Sequence, residues 1–319
     1  MSQMAEELSS ELEGGIASFR GWWRRRMEKA DQETKRNRRP LYHYTNAAGL
    51  LGILQHEQVW LTSIFHMNDP SELAYGIELA LDELRKEAKA RNNRFVTAMA
   101  QNLEHVLVHR IGEAFGFFVA SFSFKQDDLG QWRAYGDNGF GFALGMSARL
   151  FHPVEKASAA PNEKTFVARV VYGEPKIRRR QREVIRKAFD ALIGCQGLMN
   201  AHTGPRFLES LATELSVGLL WNSLTSKHLA YSHEEEVRLI IVNGVHVLRT
   251  FIDTRTRGPS LVPFVRVPMP VRQRGSIAKI MIGPSAAVEA EDATHKLFGR
   301  FGIRSTGLVQ KSDIPYRPT

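Results

Sequence analysis

Large apolar residues in the first 40 positions recur at helical spacing. Four of them repeat at intervals of three or four residues: Ile16, Phe19, Trp23 and Met27. This spacing places the four side chains on one face of a helix, and Pro40 closes the segment. Residues 1–40 are therefore predicted to form a basic amphipathic helical extension that packs on the body of the protein. Binding a partner helix or a membrane surface are the alternatives.

From Leu41 onward, strand-like and helical patterns alternate. Strand patterns predict β-strands at Leu41–Thr45, Val59–Ile64, Phe117–Phe124, Gly139–Met146, Thr165–Tyr172, Glu236–Val242, Phe264–Pro268 and Ile277–Gly283. Helical patterns predict helices at Asn46–Gln58, from Asn68-Asp69-Pro70-Ser71-Glu72 to near Arg110, and over Arg179–Leu224 with an interruption around Gly194–Gly204. This order predicts an α+β fold in which helices are inserted between the strands of two packed sheets.

Composition places the chain among ordinary globular proteins. Hydrophobic residues make up 43% and charged residues 24%, which excludes disorder and collagen-like repetition. No run of about 18 apolar residues is present, and the first ten residues contain no Lys or Arg, unlike a signal peptide. The single cysteine, Cys195, can form no internal disulfide. These features predict a cytoplasmic location.

Positive charge is concentrated in three blocks. The formal net charge is +9, and the blocks are Phe19–Pro40, Lys176–Lys187 and Arg249–Arg274. Clustered positive charge favours anionic partners such as nucleic acid, phosphate-bearing ligands or an acidic membrane surface. Solvated faces of the folded protein explain the same blocks without any partner.

Two predicted strands carry polar side chains where a core strand is normally apolar. Strand alternation places His43 on the face opposite Tyr42 and Tyr44. The same alternation places Ser121 and Ser123 on one shared face of their strand. A structural histidine and ordinary strand serines would account for both patterns, so neither predicts a site by itself.

Two further segments add aromatic and acidic groups. Gln131–Gly136 reads as a loop that carries Trp132 and Tyr135. The segment Tyr231–Arg238, if extended, places three charged residues on one face: Glu234, Glu236 and Arg238. Two close carboxylates repel each other, and a neighbouring guanidinium can keep both ionised. Core packing of the aromatics and solvation of the glutamates are the structural explanations.

Taken in order, these segments resemble the bacterial family known as domain of unknown function 2971. The resemblance lies at Tyr42-His43-Tyr44-Thr45, Trp60-Leu61-Thr62, Asn68-Asp69-Pro70-Ser71-Glu72, Ser121-Phe122-Ser123, Trp132 to Tyr135, Glu234-x-Glu236-x-Arg238 and Ile314-Pro315-Tyr316-Arg317. That family is similar to the ADP-ribosyltransferase superfamily, whose members bind NAD in a cleft between two small antiparallel sheets. The resemblance implies one such domain over residues 41–319, with NAD as its substrate.

The resemblance also implies roles for individual residues. His43 corresponds to the first-strand histidine that holds the cofactor, and Ser121 or Ser123 corresponds to the middle serine. Glu236 corresponds to the catalytic glutamate, and Glu234 precedes it as in transferases with a paired Glu-x-Glu. The other residues expected to contact NAD are Tyr44, Thr45, Tyr135 and Arg238, with Tyr135 stacking on nicotinamide. Val237 and Gln131 depart from the family pattern in the expected pocket wall.

Three functions compete at this point. The first is an NAD-dependent ADP-ribosyltransferase or NAD-cleaving enzyme. The second is a non-catalytic nucleic-acid-binding module on the same fold, which the basic blocks favour. The third is a metal-dependent nuclease using Glu234, Glu236 and a histidine such as His233, although no second acidic cluster completes a metal site. The first is the interpretation we adopt, with no resident metal.

Overall fold

A computed structural model describes residues 7–67, 71–110, 115–151, 165–244 and 251–317. Its helices are Ser10–Arg36 (α1), Ala47–His56 (α2), Ser71–Arg91 (α3), Arg94–His105 (α4), Leu129–Ala134 (α5), Glu174–Cys195 (α6), Thr203–Leu224 (α7) and Ala290–Arg300 (α8). Its strands are Leu41–Thr45 (β1), Gln58–Ser63 (β2), Phe115–Ser123 (β3), Phe142–Met146 (β4), Thr165–Arg169 (β5), Val171–Tyr172 (β6), Ser226–Lys227 (β7), Glu236–Gly244 (β8), Ile252–Arg257 (β9), Ser260–Pro268 (β10), Ile277–Ile282 (β11) and Val309–Lys311 (β12). This mixture of elements confirms the α+β class.

The chain divides into two compact units, each made of three segments. Unit 1 contains Met1–Lys29, Asn68–Phe115 and Val170–Tyr231. Unit 2 contains Ala30–Met67, Gly116–Arg169 and Ser232–Thr319. Neither unit coincides with the predicted extension at 1–40 or with the predicted domain at 41–319.

The helix predicted in the first 40 residues is present as α1. Its apolar stripe is buried at Leu12, Ile16, Phe19, Trp23 and Met27. In unit 1, Arg20 Nε donates to Glu214 Oε1 of α7 at 2.6 Å, and Trp23 Nε1 donates to Glu214 Oε2 at 3.3 Å. The helix therefore packs within the protein, as the spacing of its apolar residues predicts.

Ion pairs join α3 to α6 in unit 1. Glu83 and Glu87 of α3 are buried although both side chains are acidic. Arg182 Nε lies 2.7 Å from Glu83 Oε2, and Arg178 Nη1 lies 3.2 Å from Glu83 Oε1. Arg186 Nη2 lies 2.9 Å from Glu87 Oε1. Three arginines of the second basic block, Arg178, Arg182 and Arg186, are thus matched by carboxylates of the neighbouring helix.

The start of α3 was predicted from the motif that precedes it. The structure begins α3 at Ser71. Asn68, Asp69 and Pro70 of the predicted helix start lie outside the described residues, so their capping role stays a prediction.

Unit 2 is built on a single hydrogen-bonded sheet. Its strands follow the order β12-β11-β4-β1-β3-β2-β10-β9, with β8 beside β3 and β5 beside β8. Pairing is antiparallel along the path from β11 to β9, and β12 joins β11 in parallel. The structure therefore differs from the predicted pair of small antiparallel sheets, because β3 connects all ten strands.

Strand β3 has three neighbours, and this divides the sheet into two leaves. It pairs with β1 at Ser123, with β2 at Val119 and Phe118, and also with β8. A strand has only two edges, so two of these three neighbours pair with the same edge of β3 at different positions along its length. The leaf formed by β1, β4, β11 and β12 and the leaf formed by β2, β10 and β9 meet at β3.

The two faces of this sheet differ in character. Alternate residues of β3 and β8 join a large apolar cluster that includes Phe118, Phe122, Val237 and Leu239. The intervening residues of β3, including Ser121, point to the opposite face. The polar candidates of β3 therefore lie away from the main core.

Several local elements differ from the predictions. The predicted strand at Gly139–Met146 begins only at Phe142, because Asp137, Asn138 and Gly139 adopt positive φ angles in a tight turn. The predicted loop at Gln131–Gly136 is mostly the short helix α5, which Asp128 caps by accepting from the Gln131 amide at 3.0 Å. The pattern did not reveal β9, β12 or α8.

Candidate functional site

His43 of β1 is fixed by one hydrogen bond to the backbone of β3. Its Nδ1 lies 3.0 Å from the carbonyl oxygen of Ser121. A carbonyl oxygen only accepts, so Nδ1 carries the proton and donates. In the neutral ring, Nε2 is then a hydrogen-bond acceptor.

The surroundings favour the neutral imidazole. Burial lowers the pKa of His43, the hydrogen bond to Ser121 opposes this shift, and the positive charge of Arg255 lowers the pKa further. The net direction is downward from the ordinary value of 6.5. The ring therefore stays uncharged near neutral pH, with Nε2 able to accept a hydrogen bond.

The position of His43 follows from the division of the sheet. Ser121 lies between Ser123, where β3 pairs with β1, and Val119, where it pairs with β2. The imidazole reaches the Ser121 carbonyl at this height and rests against the Phe122 ring, with ring centroids 5.3 Å apart. A side chain thus takes the place of a backbone partner where the two leaves separate.

Glu236 is held at the start of β8 by a serine and an arginine. Ser121 Oγ donates to Glu236 Oε1 at 2.8 Å. Arg238 donates from Nε to Glu236 Oε1 at 2.7 Å and from Nη2 to Glu236 Oε2 at 3.0 Å. Glu236 is 6% exposed and Arg238 is 2% exposed. This two-point pairing fixes the orientation of the carboxylate.

Ser121 therefore connects the predicted histidine and the predicted glutamate. Its carbonyl accepts from His43, and its hydroxyl donates to Glu236. Of the two candidate serines, it is Ser121 that meets Glu236. Ser123 is buried and instead donates to the backbone oxygen of Glu234 at 2.5 Å.

The prediction that Glu234, Glu236 and Arg238 share one face of an extended segment is wrong for Glu234. The segment Leu229–Glu234 forms a 3-10 helix, and β8 begins at Glu236. Between them, Glu235 adopts a left-handed conformation with φ of 44°. Strand alternation therefore does not extend to Glu234, whereas Glu236 and Arg238 do share a face and pair with each other.

The remaining predicted contact residues have different surroundings. Tyr44 is buried, its hydroxyl donates to the Lys125 carbonyl at 3.0 Å, and its ring meets Trp132 edge-on at 4.8 Å. Thr45 is half-buried and pairs with Phe142 of β4. Tyr135 follows the last residue of α5 and is 38% exposed. The hydrogen-bond chain from His43 to Arg238 includes none of these three.

Sequence reasoning missed Arg255, Thr62 and Trp60 as neighbours of this site. Arg255 lies on β9, a strand too polar to be recognised from its pattern, and its charge acts on His43. Its Nη2 donates to Thr62 Oγ1 at 3.1 Å. The third basic block contained Arg255, but no local signal distinguished it from the other arginines.

Two other arginines of the third basic block are matched within unit 2. Arg266 pairs with Asp253, and Arg272 Nε lies 3.2 Å from Glu57 Oε2. Such pairing reduces the positive charge that these blocks present to nucleic acid. The nucleic-acid-binding alternative stays a prediction. Over the described ranges, no helix is long and apolar enough to span a bilayer, and no group of three or more His, Cys, Asp or Glu side chains is arranged to hold a metal ion.

A cavity of about 310 Å³ lies within unit 1. Its lining includes Glu72, Tyr75, Lys227, His228 and Tyr231. Lys227 Nζ lies 2.8 Å from Glu72 Oε1. None of the predicted site residues lines this cavity, so it carries no weight in assigning them.

Comparison with known proteins identifies one family. The family described as "Protein of unknown function (DUF2971)" matches residues 131–239. This confirms the predicted family over that part of the chain, which includes Glu234, Glu236 and Arg238. No curated protein and no solved structure matches the chain.

Proposed function

We propose that this protein binds NAD and breaks its nicotinamide–ribose bond, passing ADP-ribose to an acceptor or to water. One observation carries the proposal: His43 and Glu236, far apart in sequence, both hydrogen-bond to Ser121. The dinucleotide lies where the two leaves of the sheet separate. The predicted resemblance to ADP-ribosyltransferases supplies the reaction class, and fold alone does not establish it.

His43 serves as a positioning group for the cofactor. With its Nδ1 proton directed to the Ser121 carbonyl, Nε2 accepts a hydrogen bond from a ribose hydroxyl. The lowered pKa keeps this acceptor available at neutral pH. This contact holds the ribose next to the carboxylate of Glu236.

Glu236 acts on the charge that develops during bond cleavage. As the bond from ribose C1′ to the nicotinamide nitrogen breaks, its electron pair leaves with nicotinamide and positive charge develops on the ribose ring. A fixed carboxylate stabilises this charge more than it stabilises the ground state. Ser121 and Arg238 hold the carboxylate so that it need not reorganise.

The reaction ends when a nucleophile attacks C1′. The oxygen or nitrogen of the acceptor forms the new bond and releases a proton, which Glu234 accepts in this proposal. With water as the nucleophile, the products are nicotinamide and free ADP-ribose.

The test uses Glu236→Gln in the full chain with labelled NAD. Glutamine keeps the size of the side chain and removes its negative charge. We expect nicotinamide release to fall at least about 100-fold, which is the scale of losing one electrostatic contact to a transition state. Unchanged nicotinamide release in Glu236→Gln would refute the proposal.

Glu83→Gln is the matched control. It also converts a buried, arginine-paired glutamate to glutamine, but in the helices of unit 1. We expect its turnover per folded molecule to stay within about two-fold of wild type. Equal loss in both variants would mean that destabilisation, and not chemistry, explains the Glu236 result.

A further inference from the structure

Arg255 has an unmet hydrogen-bonding requirement. Its Nε is buried and has no hydrogen-bond partner among the described residues. A buried donor without an acceptor lowers the stability of the folded protein by about 1–3 kcal/mol. Buried donors therefore usually have a partner in the functional state. The same guanidinium already donates from Nη2 to Thr62.

The charge of Arg255 is also unmatched by the residues that the structure describes. Within the described ranges, no carboxylate lies at ion-pair distance from it, whereas Arg266 on the neighbouring strand pairs with Asp253. Burial lowers the pKa of Arg255, and the nearby positive charge of Arg257 lowers it further. A bound anion meets both requirements of Arg255, since it accepts a hydrogen bond from Nε and neutralises the positive charge of the guanidinium.

Strand registers place Arg255 on the same face of the sheet as Ser121. Arg255 is opposite Val262, two residues from Phe264 on β10, and Phe264 is opposite Thr62. Thr62 in turn is opposite Val119, two residues from Ser121 on β3. Because cross-strand partners and alternate residues share a face, Arg255, Thr62 and Ser121 point to the same side of the sheet.

An exposed aromatic ring lies beside this cation. The Arg255 guanidinium carbon is 5.6 Å from the centroid of the Trp60 ring. Trp60 is 39% exposed and stacks on Phe264, with centroids 4.3 Å apart. A planar aromatic surface next to a guanidinium suits a ligand that combines a ring with a phosphate.

We propose that Arg255 and Thr62 form a subsite for the diphosphate of a dinucleotide, with Trp60 flanking it. This inference rests on the proposed function, which it deepens by naming the groups that hold the phosphates. Arg255 donates from Nε and a second guanidinium nitrogen to phosphate oxygens, and the Thr62 hydroxyl supplies a further hydrogen bond. The adjacent ribose then reaches His43.

Binding of inorganic pyrophosphate and of NAD to the full chain tests the subsite, by calorimetry at low and moderate salt. For Arg255→Gln we expect both affinities to fall at least ten-fold, and the wild-type affinity for pyrophosphate to weaken as salt rises. Arg255→Lys retains the charge and recovers part of the pyrophosphate affinity. Arg266→Gln is the control, because it removes a nearby arginine that is already paired, and it stays within two-fold of wild type.

The outcomes separate this inference from the proposed function. If Arg255→Gln binds NAD and pyrophosphate as wild type does, the subsite is wrong and the proposed function stands. If wild type binds pyrophosphate through Arg255 but does not bind NAD, the anion site stands, while the dinucleotide and the proposed function fail. If wild type binds neither probe, both are refuted. An equal loss in Arg255→Gln and Arg266→Gln refutes a specific role for Arg255.

Discussion

Two buried glutamates are paired with arginine in this protein, and their surroundings differ. Glu83 in unit 1 receives two arginines from one helix, and both arginines are partly exposed. Glu236 in unit 2 receives two nitrogens from a single arginine that is almost fully buried, together with a serine hydroxyl. The first arrangement joins two helices, whereas the second orients one carboxylate.

The difference shows what distinguishes a candidate site from a structural ion pair. Both carboxylates are desolvated and both are paired, so burial and charge alone do not separate them. What separates them is that the serine beside Glu236 also accepts a hydrogen bond from His43 through its carbonyl. The predictions below change members of these two clusters, with Ser123 and the exposed Arg26 as comparisons.

The largest expected effect on stability comes from Arg238→Met. This change removes both guanidinium contacts to Glu236 and leaves a negative charge in a buried position. We expect the free energy of unfolding to fall by about 3 kcal/mol, measured by denaturant titration. Arg182→Met, which removes a partly exposed arginine while Arg178 still contacts Glu83, is the comparison. A larger loss for Arg182→Met would reverse the distinction drawn above.

Glu83→Gln is expected to cost about 2 kcal/mol of stability at neutral pH. Burial raises the pKa of Glu83, but hydrogen bonds and charges from Arg182 and Arg178 outweigh it, so the pKa is lowered from 4.5. Since the folded pKa is the lower one, this stabilisation is present above the ordinary glutamate pKa and is lost as pH falls through the lowered value. The difference between wild type and variant should shrink in denaturant titrations below about pH 4.5. A constant difference would contradict this assignment.

His43→Ala should weaken NAD binding about ten-fold, which corresponds to about 1.4 kcal/mol. The lowered pKa of His43 means that its acceptor is present at neutral pH and is lost as the ring becomes protonated at acidic pH. Thermal shifts with NAD should therefore decline below about pH 6.5 in wild type. In His43→Ala they should be smaller and lack this decline. Identical pH profiles would remove His43 from the site.

Ser121→Ala and Ser123→Ala should separate function from stability by effects of about 1 kcal/mol each. Ser121→Ala removes the donor to Glu236 and should lower turnover, with little change in melting temperature. Ser123→Ala removes a buried hydroxyl that joins the Glu234 carbonyl to the Lys125 amide, so it should lower the melting temperature. Turnover per folded molecule should then stay close to wild type in Ser123→Ala. Exchanged phenotypes would assign the middle serine to Ser123.

The smallest effect is expected for Arg26→Ala on α1. Arg26 Nη2 lies 2.7 Å from Glu183 Oε2, and both side chains are nearly half exposed. Exposed pairs of this kind contribute about 0–1 kcal/mol and are screened by salt. A melting-temperature change as large as that of Glu83→Gln would show that the exposure of an ion pair does not predict its contribution to stability in this protein.

Periodicity predicted the elements whose side chains alternate clearly between buried and exposed positions. Strand β1 has the predicted bounds, and α1 buries the predicted apolar stripe. Strand β9 was missed because an edge strand with charged residues lacks that alternation. The ten-stranded connection was missed because nothing local in the sequence states that β3 has three neighbours.

The candidate site was predictable in its residue types but not in its contacts. The family resemblance selected His43, Glu236 and a serine between them. Sequence alone could not choose between Ser121 and Ser123, because both lie on the same face and differ only in what they reach. Glu234 was misplaced because the left-handed conformation of Glu235 breaks the alternation, and no glycine marks that position.

The two bonds of Ser121 use chemically separate parts of one residue. Substitution of Ser121 with glycine keeps the peptide oxygen that accepts from the His43 imidazole. It deletes the hydroxyl that donates to the Glu236 carboxylate. A ligand whose hydroxyl filled the vacated volume could replace that alcohol without disturbing the ring. One position therefore allows the anchor of the imidazole and the support of the carboxylate to be uncoupled by removing a single hydroxymethyl group.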